Sequence, residues 1–349
     1  MVGSARPPLP GLRVPALRPN VAVAVVVVVL VVIVALALGP LSRPPGSTAS
    51  PAWTATPAGT TLAPGTPQPS ATAGPTATTG TSASPRPTVS HVWLIVMENH
   101  EYGSIIGSPS APYINSLAGK YALLTNYYAT THPSEPNYVA MVAGSTLGVT
   151  GDGTYDLTGE SVFRQLASVG RTWRAYEQDI QPGCFTGSTA KAEPDGPGTD
   201  GAYARKHDPA ISFTYVSGDA TQCANIQPLR DFDPAAAAFA FITPNLINDM
   251  HDGSVAQGDT FLRDFVPLIT GSPAFGTGVL FITFDEGSSS AGSHGDGGGH
   301  IATLIVAPGI KAGTRIGTYA DHYSLLRTTQ DLLGLPCLSA SCSRAAISY

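Results

Sequence analysis

Charge is scarce in this chain of 349 residues: Asp, Glu, Lys and Arg together make up 12% of it, and the net charge is −6. A nucleic-acid partner would call for a basic face, so that class of function is excluded. The same shortage argues against holding an anionic membrane by surface charge alone. Cysteine is sparse as well. There are four, and none stands in the CxxC spacing that zinc sites favour. Long apolar runs are missing apart from one, the eighteen residues Val21–Leu38. Arg6, Arg13 and Arg18 precede that run with no acidic residue among them. The N-terminus therefore stays in the cytoplasm while the rest crosses. The run is longer than a usual signal-peptide core and close to the minimum bilayer span, yet Ala35-Leu36-Ala37 is an acceptable cleavage site. A single-pass anchor and a cleaved signal both stay open. Either way the folded part works outside the cytoplasm, on the cell membrane or secreted.

The cysteines agree with export. Cys184, Cys223, Cys337 and Cys342 all follow the apolar run, and an oxidising compartment favours two disulfides. Of three pairings, proximity favours Cys184–Cys223 and Cys337–Cys342. Between the run and the folded part, residues 39–88 are almost entirely Pro, Thr, Ser, Ala and Gly. Such a stretch cannot bury enough surface to offset its ordering entropy, so it reads as a disordered linker. The organisation is thus 1–38 basic segment plus anchor or signal, 39–88 linker, and 89–349 folded domain.

Within that domain, apolar β-branched runs alternate with helical patterns. Strands are expected at His91–Met97, Ala122–Tyr128, Thr172–Tyr176, Phe239–Thr243, Gly278–Phe284 and Ala302–Ala307. Helices are expected at Ala111–Lys120, Glu135–Ala143, Ser161–Ser168, Asp259–Ile269 and Tyr323–Leu333. Near-continuous apolar strands separated by helices indicate an α/β fold, a three-layer sandwich around a mostly parallel sheet. The irregular stretch Glu177–Asp233 carries two cysteines and reads as a disulfide-stapled insertion.

In such sheets ligands bind beyond the carboxyl ends of the strands, and that is where the polar residues fall. The first strand ends in Glu98-Asn99-His100. The second leads to His132-Pro133-Ser134, with Ser134 at a helix N-cap, where free N–H groups suit a phosphate. A later strand runs into Asp285-Glu286, two carboxylates that repel unless something positive lies between them. Glu98, Asn99, Ser134, Asp285 and Glu286 therefore face one crevice as oxygen donors for a divalent metal ion: Ca²⁺, Mg²⁺, Mn²⁺ or Zn²⁺.

The blocks VMENHEYGSIIG, YYATTHPSEPNYVAMVAGS, NDMHDGS, FITFDEG and HIATLIVAPGIKAG, in this order, resemble the phosphoesterase family of acid phosphatases and phospholipases C, within the alkaline-phosphatase-like superfamily. The likeness spans about Val89 to Leu335 and looks closest to the acid phosphatase branch, which includes secreted phosphatidylinositol-3-phosphatases. It implies an alkaline-phosphatase-like fold, with Glu98, Asn99, Ser134, Asp285 and Glu286 as metal ligands and Ser134 also as nucleophile. It further implies that His132, His251 and His300 face the phosphate or the leaving group, that Asp249 and Asp252 orient His251, and that His322 is structural. The expected activity is hydrolysis of phosphate monoesters, phosphatidylinositol 3-phosphate among the candidates, by a monomer that touches membrane only through an uncleaved N-terminal helix. A phospholipase C-type phosphodiesterase is the alternative, though Gly287 stands where such enzymes commonly carry a histidine after the Asp-Glu pair. A non-catalytic, calcium-stabilised surface-binding module is a further reading, from another class.

Overall fold

The computed structural model describes residues 89–190, 202–288 and 297–349. The Val21–Leu38 run and the linker lie outside the described residues. Among those described, no helix is long and apolar enough to cross a membrane.

In chain order the main elements are β1 (His91–Met97), α1 (Pro112–Lys120), β2 (Ala122–Leu124), β3 (Tyr127–Tyr128), α2 (Ser134–Ala143), α3 (Val162–Ser168) and β4 (Trp173–Glu177). They continue with β5 (Ile226–Pro228), β6 (Phe239–Thr243), α4 (Val255–Thr270), β7 (Gly278–Phe284), β8 (Thr303–Val306), β9 (Thr314–Ile316), β10 (Ala320–Asp321) and α5 (His322–Leu333). Eight strands form one sheet in the order β9-β2-β8-β7-β1-β6-β4-β5. Every pairing is parallel except the two made by β8, which runs against the rest.

The β1 sequence explains its place at the middle. Successive strand residues point to opposite faces, yet Val92 through Met97 are all buried, so both faces of the sheet are covered. Helices supply the cover in two groups, α1 against α4, and α2 against α3 and α5. That is the three-layer α/β sandwich.

Several elements differ from expectation: strand β5 lies within the stretch expected to be irregular, and β9 and β10 were not expected. The run Ala122–Tyr128 breaks at Thr125-Asn126, because those residues bond across to Ile316 and Ala320; β3 then leaves the main sheet and pairs with β10. Helix α4 begins earlier than its apolar pattern indicates, because Ser254 and Gln257 form a capping box. Both disulfides, Cys184–Cys223 and Cys337–Cys342, are formed as expected. Inside the insertion, a short turn at Arg205–His207 is fixed by buried Arg205, whose guanidinium donates to Thr186 O at 2.8 Å and Tyr155 O at 3.3 Å.

Candidate active site

The site starts from strand register. β1 and β7 pair residue for residue from His91↔Gly278 to Met97↔Phe284, so the next residues, Glu98 and Asp285, emerge side by side at one sheet edge. Asn99 then turns the chain with φ +53° and gives its N–H to Asp285 Oδ1 at 3.1 Å. The Asp285 N–H goes back to Met97 O at 2.8 Å. Since β8 runs antiparallel, His300 just before it arrives at this edge too.

Ser134 comes from α2. Pro133, after a cis peptide bond, is the N-cap, and Ser134 is the first helical residue with no capping bond from its side chain. The expected N-cap role is thus corrected by one position, and the hydroxyl turns to the sheet edge instead. Its Oγ lies 3.2 Å from Glu98 Oε2 and 3.3 Å from Glu286 Oε1, and it donates to one of them at a time. One turn on, Tyr138 donates to the other Glu98 oxygen at 2.5 Å. His132 contacts Glu286 through Nδ1, while its Nε2 is buried without a partner.

A second flank comes from residues absent from the sequence-based set. His207 is fully buried, with Nε2 3.3 Å from Glu98 Oε1 and Nδ1 3.3 Å from Asp249 Oδ2. Neither contact has hydrogen-bond alignment, for both ring nitrogens and Asp249 Oδ2 count as unpartnered. Tyr138 stacks on His207 at 5.0 Å between centroids. Lys206 reaches Asp152 Oδ2 at 3.0 Å and His251 Nε2 at 3.2 Å. The Lys206-His207-Asp208 run in an otherwise irregular insertion was the available signal, but nothing local ties it to strand ends far along the chain.

Electrostatics mark the centre. Glu98, Asp249, Asp285 and Glu286 are all buried. Burial pushes the Asp285 carboxyl up to about 7, with the Glu286 charge adding. Burial likewise raises Glu286 to about 7, and Asp152 adds to that. Glu98 is held well above the usual range by burial, then by Asp285 and Asp249. Burial also raises Asp249 well above its ordinary value, with Asp285 and Asp252 adding. Conversely, burial keeps His207 well below the usual imidazole value, Lys206 and His251 contributing, so its ring is neutral. For Lys206 burial works against the charge, but Asp152, Glu98 and Asp285 outweigh it and the pKa is raised.

Crowded carboxylates with unpartnered oxygens (Asp285 Oδ2, Glu286 Oε2, Asp249 Oδ2) and a neutral, unpartnered imidazole form a donor set suited to a divalent cation. Ligand atoms of Glu98, His207 and His251 all fall within 4.8 Å of one another. The residues present fit a metal ion.

The remaining candidates are placed as follows. His251 holds Asp252 Oδ1 with Nδ1 at 2.7 Å. Asp249 reaches His251 only through its backbone N–H, at 2.7 Å, and turns its other oxygen to His207. Asn99 touches Asp285 by backbone, not by its amide oxygen. The ring of His300 is stacked between Tyr102 (4.5 Å) and Tyr128 (5.0 Å). Its Nε2 is buried without a partner. Buried His322, held down to about 4 by burial, links Asp285 O (2.7 Å) to the Tyr127 hydroxyl (3.0 Å). It props the strand end, as a structural residue would.

The model of the Phosphoesterase family matches residues 108–336, a span that includes Ser134, Asp285 and Glu286. The chain is 35% identical over 257 residues to a phosphatidylinositol-3-phosphatase of Mycobacterium tuberculosis, covering 73% of this chain and 80% of that protein. It is 31% identical to a probable acid phosphatase of Kluyveromyces lactis, covering 70% of this chain, and 30% identical to an acid phosphatase of Aspergillus fumigatus, covering 71%. The chain spans only 58% and 55% of those two fungal relatives. Among solved structures, a Vibrio parahaemolyticus protein of the alkaline phosphatase superfamily superposes with TM-score 0.48 at 15% identity, over 72% of this chain and 67% of that one.

Proposed function

Because the chain belongs to the phosphoesterase family and is a hydrolase of that kind, we propose that it is an extracytoplasmic, metal-dependent acid phosphatase in which Ser134 attacks phosphate monoesters. One observation carries the reading: the Ser134 hydroxyl, free of capping duty at the start of α2, sits between Glu98 and Glu286. Glu98, Asp285 and Glu286, with the Ser134 hydroxyl and neighbouring His207, would hold the cation. When bound, it supplies positive charge that favours the alkoxide form of the serine and offsets charge on the phosphoryl oxygens.

The protein's own groups account for the proton traffic. Ser134 gives its hydroxyl proton to the carboxylate it faces as Oγ bonds to phosphorus, and the bond from phosphorus to the leaving alcohol breaks. His132 is the better placed general acid. Its Nδ1 lies against Glu286 and its Nε2 has no partner, so Nε2 carries the proton to the departing oxygen. The Nε2 of His251 is occupied by the Lys206 ammonium. Water then attacks the phosphoserine, His132 takes its proton, and Ser134 recovers its own from the carboxylate.

The substrate class includes phosphatidylinositol 3-phosphate, on the strength of the 35% identical relative so named. Export is supported by two formed disulfides and by the Val21–Leu38 run with its basic flank. The test is phosphate release from p-nitrophenyl phosphate and from a short-chain phosphatidylinositol 3-phosphate. Ser134→Ala should lose at least about 10³-fold in kcat, and EDTA should silence the wild type until a divalent ion is restored. Near-normal release by Ser134→Ala would remove Ser134 from the reaction.

A further inference from the structure

We propose that Lys206 is a substrate-binding residue that contacts the phosphoryl group on Ser134 and selects dianionic monoesters over diesters. The assignment rests on the role given to Ser134 above.

The ammonium is linked to the surroundings of the nucleophile through His251 and Glu98. It is 3.0 Å from Asp152 and 3.2 Å from His251 Nε2; ligand atoms of His251 and Glu98 lie within 4.8 Å of one another, and Glu98 in turn is 3.2 Å from the Ser134 hydroxyl. The lysine's position is tied to the nucleophile's own helix. Asp152 uses one oxygen for Lys206 and the other to accept the N–H of Glu135, the residue after Ser134, at 3.1 Å. Glu135 returns the contact by accepting the Gly153 N–H at 2.7 Å. This reciprocal clasp fixes the lysine's counterion to the first turn of α2. From the other side, the Arg205–His207 turn is anchored by buried Arg205 and seated on buried His207.

An ordinary rim lysine has no such support. Only part of the Lys206 side chain, 23%, is exposed. It also sits where charge is needed. The side of Ser134 facing Glu98 and Glu286 is acidic, so a phosphoryl group bonded to Oγ requires cationic contact on its other oxygens. A monoester dianion offers an ammonium twice the charge that a diester offers, and Coulomb attraction scales with that charge.

The rival account is a structural ion pair that merely pins the 152–153 loop. Equilibrium dialysis of inorganic phosphate against Ser134→Ala protein, alone and with Lys206→Met, separates the two. Loss of a charged hydrogen bond should weaken phosphate binding roughly ten- to hundred-fold, while Lys206→Arg restores most of it and Asp152→Asn, which keeps one oxygen as an acceptor but loosens the clasp, weakens it less. With Ser134 present, Lys206→Met should lower kcat/KM for p-nitrophenyl phosphate far more than for bis(p-nitrophenyl) phosphate. Melting curves check folding, and Lys206→Gln serves as a second neutral variant. Unchanged phosphate affinity in both neutral variants overturns the contact, as does equal loss in Lys206→Met and Asp152→Asn. Equal losses on the two esters overturn the selectivity. A wild type that hydrolyses neither ester would instead sink the hydrolase reading itself.

Discussion

Around the Ser134 hydroxyl, Glu98, Asp249, Asp285 and Glu286 are gathered in a space that water scarcely reaches. Held without a cation, such a group resists ionising, which is why Asp285 and Glu286 are both raised to about 7. A carboxyl whose folded pKa exceeds its unfolded one keeps its proton more tightly in the native state. Its contribution therefore favours folding below the unfolded value of roughly 4 and is lost as pH climbs through the raised one. In a chelator, the melting temperature should accordingly fall between pH 5 and pH 8. For buried Asp285 alone the shift corresponds to a few kcal/mol, or roughly 5–10 °C for a domain of this size. A saturating divalent ion should flatten that slope, and Asp285→Asn should remove part of it in the chelator. A melting temperature unchanged from pH 5 to 8 without metal would show that these carboxylates are already compensated. At this scale Glu98, Ser134, Asp285 and Glu286 were legible, since each follows directly from a strand end or a helix start. His207 was not, because a lone histidine in an irregular stretch carries no periodicity to say what it will face.

Helix α2 is the element that carries Ser134, and all ten of its residues are buried. Its far end is as constrained as its start. Gly144 closes it in the left-handed region, φ +67°, and accepts the Ala340 N–H at 2.9 Å from the turn that Cys337–Cys342 closes. A Cβ there would lie 2.3 Å from Leu338 O, a backbone atom with no freedom to swing aside. Gly144→Ala should therefore cost on the order of 2–4 kcal/mol, combining left-handed strain with a steric clash. The measurement is a denaturant midpoint. Its contrast is Gly103, whose Cβ would meet nothing within 4 Å and whose replacement by alanine should cost little. Equal effects at the two glycines would refute the clash. Strand and helix identities were readable at this scale, because apolar runs such as GVLFITF leave little choice. Strand direction was not. Thr303–Val306 is apolar enough for either orientation, and nothing in its own residues says which way it runs.

At the scale of the whole molecule, the sheet supplies Glu98, Asp285 and Glu286, while the insertion between β4 and β6 supplies Lys206 and His207. Two separately organised parts thus meet at Glu98. The sheet edge is fixed by continuous register, whereas the insertion, built of short turns, relies on anchors. These are the Arg205 bonds to Thr186 and Tyr155 and the Cys184–Cys223 disulfide, which closes 39 positions of chain. Loop-closure entropy puts such a crosslink at roughly 3–4 kcal/mol. The Cys184→Ser/Cys223→Ser pair should therefore melt lower by about 5–15 °C. Because the crosslinked chain includes the Arg205–His207 turn, the same variant should lose phosphate affinity and turnover while the sheet remains intact. The Cys337–Cys342 bond closes far less chain, so breaking it should lower stability less and leave phosphate affinity nearly unchanged. Hydrogen exchange would read the difference locally, with faster exchange in 202–223 for the first variant and near Gly144 for the second. If both variants lost phosphate affinity to the same extent, the insertion would not be what holds Lys206 and His207 against the site.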